Sequence, residues 1–205
     1  MEYDKVLPIA EKMAALLTPG CKRIEIAGGL RRQKPDPHDI EIVAIPDLRA
    51  PRPIFGCPAY PTILDAILAS LVRGDDDDFL IHMSLNGPKF KQFSISQDGG
   101  QSWLVKVDLF LDTPPSDWGV LYLLRTGPAE FSHWIVTQKY RGGGLPNGYR
   151  VEDNRILSTT NEYIPCLEEI DFLKFCHLTW IEPSMRLPMW QRSVRLVSDL
   201  QGAKY

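Results

Sequence analysis

The sequence has no long apolar run, no secretory leader and no closely spaced pair of cysteines. No apolar stretch approaches the roughly 18 residues that a membrane-spanning helix needs. At the N-terminus, no basic segment precedes an apolar one, as it would in a secretory signal. The cysteines lack the Cys-x-x-Cys spacing of a zinc site and indicate no disulfide framework (Cys21, Cys57, Cys166 and Cys176). We therefore expect a cytoplasmic protein that does not enter a membrane.

An excess of positive charge is also lacking. The formal net charge is −3 at pH 7, whereas proteins that clamp nucleic acid without sequence preference normally carry a clear excess of Lys and Arg. This charge argues against such a clamp and leaves room for local basic patches. Apolar residues make up 44% of the chain, which is enough for a folded core. No feature indicates self-association, and we expect a monomer.

Residues 24–45, which read IEIAGGLRRQKPDPHDIEIVAI, hold the main group of candidate functional residues. Two β-patterned runs, at 24–27 and 40–45, flank a Gly-Gly turn, an arginine pair and a proline-rich loop. Asp39 and Glu41 are two positions apart, so on a strand both carboxylates project from the same face. Adjacent carboxylates are costly unless a cation lies between them. In an otherwise apolar strand, this pair indicates a divalent-metal site.

The Gly-Gly turn precedes this acidic strand. Gly28 and Gly29 allow a phosphate to approach their backbone N–H groups closely. Arg31 and Arg32 supply the positive charge that would neutralise a phosphate. The turn therefore predicts a phosphate-bearing ligand next to the metal.

The rest of the first half alternates helical and β patterns. Apolar periodicity predicts helices over 3–17 and 61–72, with Pro8 placing the start of the first near Leu7. Strands are predicted at 79–85, 90–96 and 103–111, the last two joined by a turn at 98–100. The acidic run 75–78 is typical of a solvated turn, which we favour over a metal site.

Asp108 is a lone acid in the apolar third strand of this group. If that strand lies beside 40–45, Asp108 completes a three-carboxylate metal site with Asp39 and Glu41. Three acids in this order are a much stronger signal than the pair alone.

From Pro114 onward the composition changes. Helices are predicted over 116–124, 129–140 and 168–176, with a small hairpin within 145–157. The segment 180–187 is predicted to be irregular, and the remaining tail is basic at Arg192, Arg195 and Lys204.

The order of these motifs resembles that of the family X DNA polymerases, within the nucleotidyltransferase superfamily. GG-L-RR followed by HD-I-E-I is similar to the family signature, and Asp108 stands where the family has its third acid. The turn Thr126-Gly127-Pro128, the helix after it and the segment WIEPSMR at 180–186 follow in the family's order. The resemblance covers nearly the whole chain and is closest to short viral members, which have only a palm and a C-terminal subdomain.

The resemblance implies an α/β (α+β) fold in two parts. Residues 1–114 would form a nucleotidyltransferase palm, with a mixed sheet and helices on one face. Residues 115–205 would form a small α+β, thumb-like subdomain that binds nucleotide and DNA.

The resemblance also implies roles for individual residues. Asp39, Glu41 and Asp108 would be catalytic and would hold two Mg²⁺ ions, with Mn²⁺ able to substitute. Nucleoside triphosphate would contact residues from both parts of the chain (Gly28, Gly29, Arg32, His38, Arg125, Thr126, Gly127 and Ser132). An exposed loop histidine explains His38 equally well.

Lys89 and Lys91 are candidate contacts to the phosphates of primer or template DNA. Solvated lysines that protect an edge strand from aggregation are an equally good explanation.

The implied reaction is phosphoryl transfer, which depends on positioning and charge neutralisation. The first hypothesis is a template-directed DNA polymerase that fills short gaps in primer–template DNA during repair. The alternative is a nucleotidyltransferase that acts on RNA, a protein or a small molecule without a template. Glu41, where the family more often has aspartate, and the acidic net charge favour this alternative. The least favoured hypothesis is a non-catalytic nucleic-acid-binding relic.

Overall fold

The β-rich runs of the first half form one sheet. The computed structural model describes residues 1–51, 60–76, 79–96, 102 and 105–186. The chain divides into two compact units, Met1–Thr113 and Pro114–Tyr205. Some predicted features lie outside the described residues: Cys57, Asp77, Asp78, the turn at 98–100, the start of the third strand at 103–104, Leu187 and the basic tail with Arg192, Arg195 and Lys204.

The first unit is a mixed sheet with helices, which confirms the predicted α/β class. Its helices are α1 (Tyr3–Leu17), α2 (Gly28–Arg31) and α3 (Ile63–Arg73). Its strands are β1 (Cys21–Ile26), β2 (Asp39–Pro46), β3 (Leu80–Asn86), β4 (Phe90–Ser96) and β5 (Val105–Leu111). They are ordered β1-β2-β5-β4-β3. The β2–β5 pair is parallel and the other neighbours are antiparallel.

The period of two along each strand separates an apolar face from a polar one. Ile40, Ile42 and Ala44 of β2 and Val107 and Leu109 of β5 join a core that α1 and α3 cover. Alternate residues of a strand point to opposite faces. Asp39, Glu41 and Asp108 therefore project from the face opposite this core.

Pro8 does not delay the first helix, and the predicted start near Leu7 is wrong. α1 begins at Tyr3 and runs through Pro8 to Leu17. Proline removes one N–H donor, here the one that would bond to residue 4, and leaves the rest of the helical ladder in place. Burial of Val6, Ala10 and Met13 against the sheet stabilises the helix across this gap.

Side-chain and glycine caps fix both ends of α3. The Thr62 hydroxyl accepts a hydrogen bond from the Asp65 N–H at 3.1 Å, which satisfies a donor of the first turn. Gly74 ends the helix in the left-handed region, with φ of 75°. Of the acidic run that follows, Asp75 pairs with Arg73 at 2.7 Å and Asp76 accepts a hydrogen bond from the Phe79 N–H at 3.0 Å.

The second unit has its own core. Its elements are α4 (Trp118–Thr126), α5 (Ala129–Val136), β6 (Tyr149–Glu152), β7 (Arg155–Ser158), β8 (Tyr163–Ile164) and α6 (Glu169–Phe175). β6 and β7 are the predicted hairpin, turning through Asp153 and Asn154 with φ of 49° and 55°, as expected for a two-residue turn. α5 ends before the predicted residue 140, because Thr137 is extended.

None of the helices in the described ranges has both the length and the apolar character needed to cross a membrane.

Candidate active site

The strand register brings the acidic residues together on one face of the first unit. In the parallel β2–β5 pair, Glu41 lies opposite Asp108 and Asp39 lies opposite Lys106. Residues two apart on a strand share a face, so these four side chains form one charged group. The pairing on which the predicted three-carboxylate site depended is therefore present.

Two neighbours fix the Asp108 carboxylate. Gln92 lies opposite Asp108 in the β4–β5 pair, and its Nε2 donates a hydrogen bond to Oδ1 at 2.8 Å. Lys106 Nζ donates to Oδ2 at 3.0 Å. The Asp108 side chain is only 13% exposed, so it is held with both oxygens engaged.

Lys106 joins two of the acids. Its Nζ lies 3.5 Å from Asp39 Oδ2 as well as 3.0 Å from Asp108 Oδ2. The hydrogen bond to Asp108, with the charges of Asp108 and Asp39, raises the pKa of Lys106 above its usual value. The ammonium is therefore charged and neutralises part of the carboxylate group.

The third acid, Glu41, reaches into the glycine turn. Gly28 has φ of +57°, and a Cβ added there would overlap Glu41 Oε2. The Gly29 N–H donates a hydrogen bond to the Glu41 carboxylate. Ala27 N–H also donates to the Glu41 carbonyl at 2.8 Å, which ties the turn to β2. Gly28 thus leaves the space that the glutamate side chain occupies, and Gly29 donates a hydrogen bond to it.

Burial raises the pKa of Glu41 from 4.5 to about 7, and the charge of Asp39 contributes to this shift. The charge of Arg32 and the hydrogen bond from Gly29 act in the opposite direction. Asp108 adds a smaller increase. Two of the causes that raise the value are neighbouring carboxylates, so Asp39 and Asp108 both disfavour a charge on Glu41.

The three side chains have the chemistry of divalent-metal ligands, but they are not arranged as a closed metal site. Among the described residues, which include all three acids, no group of three His, Cys, Asp or Glu side chains is arranged to hold a metal ion as it stands. The Lys106 ammonium lies within 3.5 Å of the Asp39 and Asp108 carboxylates, so these two acids are held near one positive charge. Carboxylate oxygens are the ligands that Mg²⁺ prefers.

The other predicted phosphate contacts in this unit, Arg32 and His38, lie in the segment between the glycine turn and β2. Arg32 is half-buried at the end of α2, and its charge acts on Glu41. His38 is exposed and directly precedes β2. Both residues are therefore close in the chain to the acids.

The position of Lys91 contradicts the prediction that both strand lysines, Lys89 and Lys91, face solvent or DNA. Lys91 is two residues from the buried Phe93 on β4, so both side chains point to the side of the sheet that the helices cover. Lys91 is 5% exposed there. Its Nζ pairs with Asp65 at 2.8 Å and donates to Asn86 Oδ1. A buried, paired ammonium cannot bind a phosphate without breaking these contacts. Lys89 is exposed and precedes β4.

The four predicted nucleotide residues of the second unit differ in exposure. Arg125 is exposed, whereas Thr126 is fully buried. The Ser132 hydroxyl donates a hydrogen bond to the Leu124 carbonyl at 2.7 Å. Gly127 packs closely, because an added Cβ would lie 2.6 Å from the Phe131 ring. Thr126 and Gly127 are therefore packed in the turn and Ser132 ties α5 to α4, whereas Arg125 is the exposed one of the four.

Sequence reasoning missed Lys106 and Gln92. Lys106 is two residues from Asp108, so the same-face rule that joined Asp39 and Glu41 could have found it. Gln92 carried no such signal, because its contact depends on the register between β4 and β5.

A scan against protein-family models gives no match for this chain, and a comparison with curated protein sequences gives none either.

Proposed function

We propose that this chain is a nucleotidyltransferase of the family X DNA polymerase type, which adds nucleoside monophosphates to a primer 3′-hydroxyl and fills short gaps in DNA. The observation that carries this proposal is the parallel pairing of β2 with β5. It sets Glu41 beside Asp108, with Asp39 on the same face. The first unit would be the palm, and the second unit would be the thumb-like subdomain that binds nucleotide and DNA.

Asp39, Glu41 and Asp108 would hold Mg²⁺, and Mn²⁺ would substitute. When bound, the metal would neutralise charge on the reacting phosphate and lower the pKa of the attacking hydroxyl. Gln92 keeps the Asp108 carboxylate in one orientation. Asp108 would accept the proton of the 3′-hydroxyl through Oδ2, the oxygen that Lys106 contacts in this structure, after the ammonium has moved away.

The charge of Arg32 supports the phosphate role, whereas the Gly29 N–H that was expected to face a phosphate donates to Glu41. Arg32 already acts electrostatically on Glu41 across the turn, so its charge reaches the region where a triphosphate would lie. Arginine binds phosphate through two parallel hydrogen bonds. Arg125, exposed on the second unit, is a further candidate for the sugar or the triphosphate.

The decisive experiment is primer extension on DNA with a one-nucleotide gap, with Mg²⁺ or Mn²⁺, and with each dNTP and rNTP against each templating base. We expect template-matched addition by the wild type. Asp108→Asn should lower the rate on the order of a thousandfold, because it removes several kcal/mol of charge stabilisation.

Asp36→Asn is the matched control. Asp36 lies in the loop before β2, and its side chain is 67% exposed beside Lys34. This variant should extend the primer as the wild type does. Equal activity of the Asp108→Asn variant would contradict the proposal.

A transferase that acts on RNA, a protein or a small molecule is the second candidate. Two observations favour it: the net charge of −3 and the glutamate at position 41, whose carboxylate lies in the glycine turn. Addition without regard to the template would indicate a terminal transferase. Nucleotide binding without addition to any DNA or RNA end would favour the protein or small-molecule substrate.

A further inference from the structure

Lys106 lies across two of the acids to which the proposed function assigns the metal. Its ammonium is 3.0 Å from Asp108 Oδ2 and 3.5 Å from Asp39 Oδ2. The register that pairs Asp39 with Lys106 and Glu41 with Asp108 fixes this position. The contact is thus built into the β2–β5 pair.

A divalent cation would need the same oxygens. Mg²⁺ binds carboxylate oxygens at about 2.1 Å, and an ammonium held near the same oxygens would repel it. The Lys106 ammonium and a divalent cation therefore compete for the oxygens of Asp39 and Asp108.

The Lys106 side chain is able to leave. It is 42% exposed, and a lysine carries a compact charge on a flexible four-carbon stem. Asp108, by contrast, is 13% exposed and keeps its hydrogen bond from Gln92 through Oδ1. Loss of the lysine contact would therefore free Oδ2 without releasing the carboxylate.

We propose that Lys106 is a positioning residue that holds Asp39 and Asp108 together and competes with the divalent cation for them. The ammonium withdraws when the cation binds. As a result, the acids bind a metal ion weakly when no nucleotide is present. The metal that takes part in the reaction is then mainly the one that arrives bound to the triphosphate. This inference rests on the proposed function, because it assumes that the acids bind a metal.

The test is to titrate the 205-residue chain with Mn²⁺ in the absence of nucleotide. Electron paramagnetic resonance measures the concentration of free Mn²⁺, and thermal unfolding measures the melting temperature. Lys106→Met removes the charge and keeps the length of the stem. It should lower the dissociation constant for Mn²⁺ at least about tenfold, because the competing charge is gone. It should also lower the melting temperature without metal and enlarge the rise that Mn²⁺ causes.

Two further variants separate charge competition from a general structural effect. Lys106→Arg retains the charge and should restore the weak Mn²⁺ binding of the wild type. Lys5→Met removes an exposed lysine of α1 that pairs with Glu2 at 2.8 Å and with none of the three acids, and it should leave the Mn²⁺ affinity unchanged.

The outcomes distinguish this inference from the proposed function. If the wild type binds Mn²⁺ through Asp108 and Lys106→Met binds it no more tightly, the competition is overturned while the metal site stands. If neither protein binds Mn²⁺ while both remain folded, the inference and the metal-dependent function both fail.

Discussion

At Gly28, the Glu41 carboxylate occupies the space that any side chain would need. The backbone there is also in the left-handed region, with φ of +57°, which costs a residue with a Cβ about 1 kcal/mol or more. Two separate effects, strain and overlap, therefore act against substitution at this position.

Gly28→Ala should lower the free energy of unfolding by about 2–4 kcal/mol, because overlap in a packed site adds about 1–3 kcal/mol to the strain. Urea denaturation measures this. Gly142→Ala is the control, because Gly142 has φ of +83° and no heavy atom within 4 Å of an added Cβ; it should lose about 1 kcal/mol. Equal losses in the two variants would show that Glu41 does not fill the space beside Gly28.

Glu41→Asp, made together with Gly28→Ala, tests the same contact from the other side. Aspartate is one methylene shorter, so it withdraws the carboxylate from the turn. The double variant should lose less stability than the sum of the two single variants.

The raised pKa of Glu41 predicts that stability falls as the pH rises. The folded protein holds the Glu41 proton up to a pKa of about 7, against an ordinary value of 4.5. Between these values the folded state binds more protons than the unfolded state, so the stabilisation present below pH 4.5 is lost as the pH rises through 7. The loss is on the order of 3 kcal/mol.

Glu41→Gln should remove this pH dependence and should be the more stable protein at pH 8. Urea denaturation at pH 5 and pH 8, with chelator present, measures the difference. If the stability of the wild type and of the variant changed equally between pH 5 and pH 8, the result would contradict the raised pKa of Glu41.

At the scale of elements, a buried ion pair ties α6 to the segment that follows it. Arg186 Nη1 donates to Glu169 Oε1 at 2.9 Å, with side-chain exposures of 0% and 5%. The Arg186 guanidinium also lies 5.4 Å from the Phe131 ring centroid and 5.5 Å from that of Trp180. The arginine of the WIEPSMR segment is thus part of the second unit's interior.

Glu169→Gln should therefore destabilise the protein by about 3–5 kcal/mol, because it leaves a buried guanidinium without its counter-charge. Urea denaturation again measures the change. The control is Glu152→Gln, which breaks the exposed pair with Arg150 at 3.0 Å and should cost less than about 1 kcal/mol. A similar cost for the two variants would count against the buried pair as a stabilising contact.

The elements themselves were mostly predictable from the sequence, and their ends were less so. The β4 strand was predicted as the structure has it, because Phe93 and Ile95 alternate with polar residues. α5 ends at Val136 because the backbone of Thr137 is extended. The Gly144 N–H donates a hydrogen bond to the Trp134 carbonyl near this helix end, at 2.9 Å. Such a contact between a helix end and a later turn leaves no periodic signal.

At the scale of the whole molecule, the proposed metal site belongs to one unit. The acids, Lys106 and Gln92 all lie within Met1–Thr113, together with a core of their own. Arg125, the exposed candidate contact for the nucleotide, lies in the other unit, Pro114–Tyr205.

A fragment of residues 1–113 should therefore fold and bind Mn²⁺ with the affinity of the full chain, while it adds no nucleotide to a primer. A unit with its own core can fold alone. Circular dichroism and Mn²⁺ titration measure the two properties, and the same fragment with Asp108→Asn is the control for specific binding. A folded fragment that fails to bind Mn²⁺ while the full chain binds it would place part of the site in the second unit.

The sequence alone determined the properties that depend on neighbours along the chain. The shared face of Asp39 and Glu41 follows from the strand period of two, and the glycine pair before them predicts a turn of the backbone. The lone acid of β5 was evident from its apolar surroundings.

Tertiary structure decided what depends on residues far apart in the chain. Only the β2–β5 register sets Glu41 beside Asp108 and places Lys106 between two acids. Only the packing of α3 against the sheet buries Lys91 with Asp65. The physical reason is that strand pairing and burial are settled by the non-local core, in which each strand's apolar face must meet the helices. The chemistry of a side chain then depends on which partner the fold brings to it.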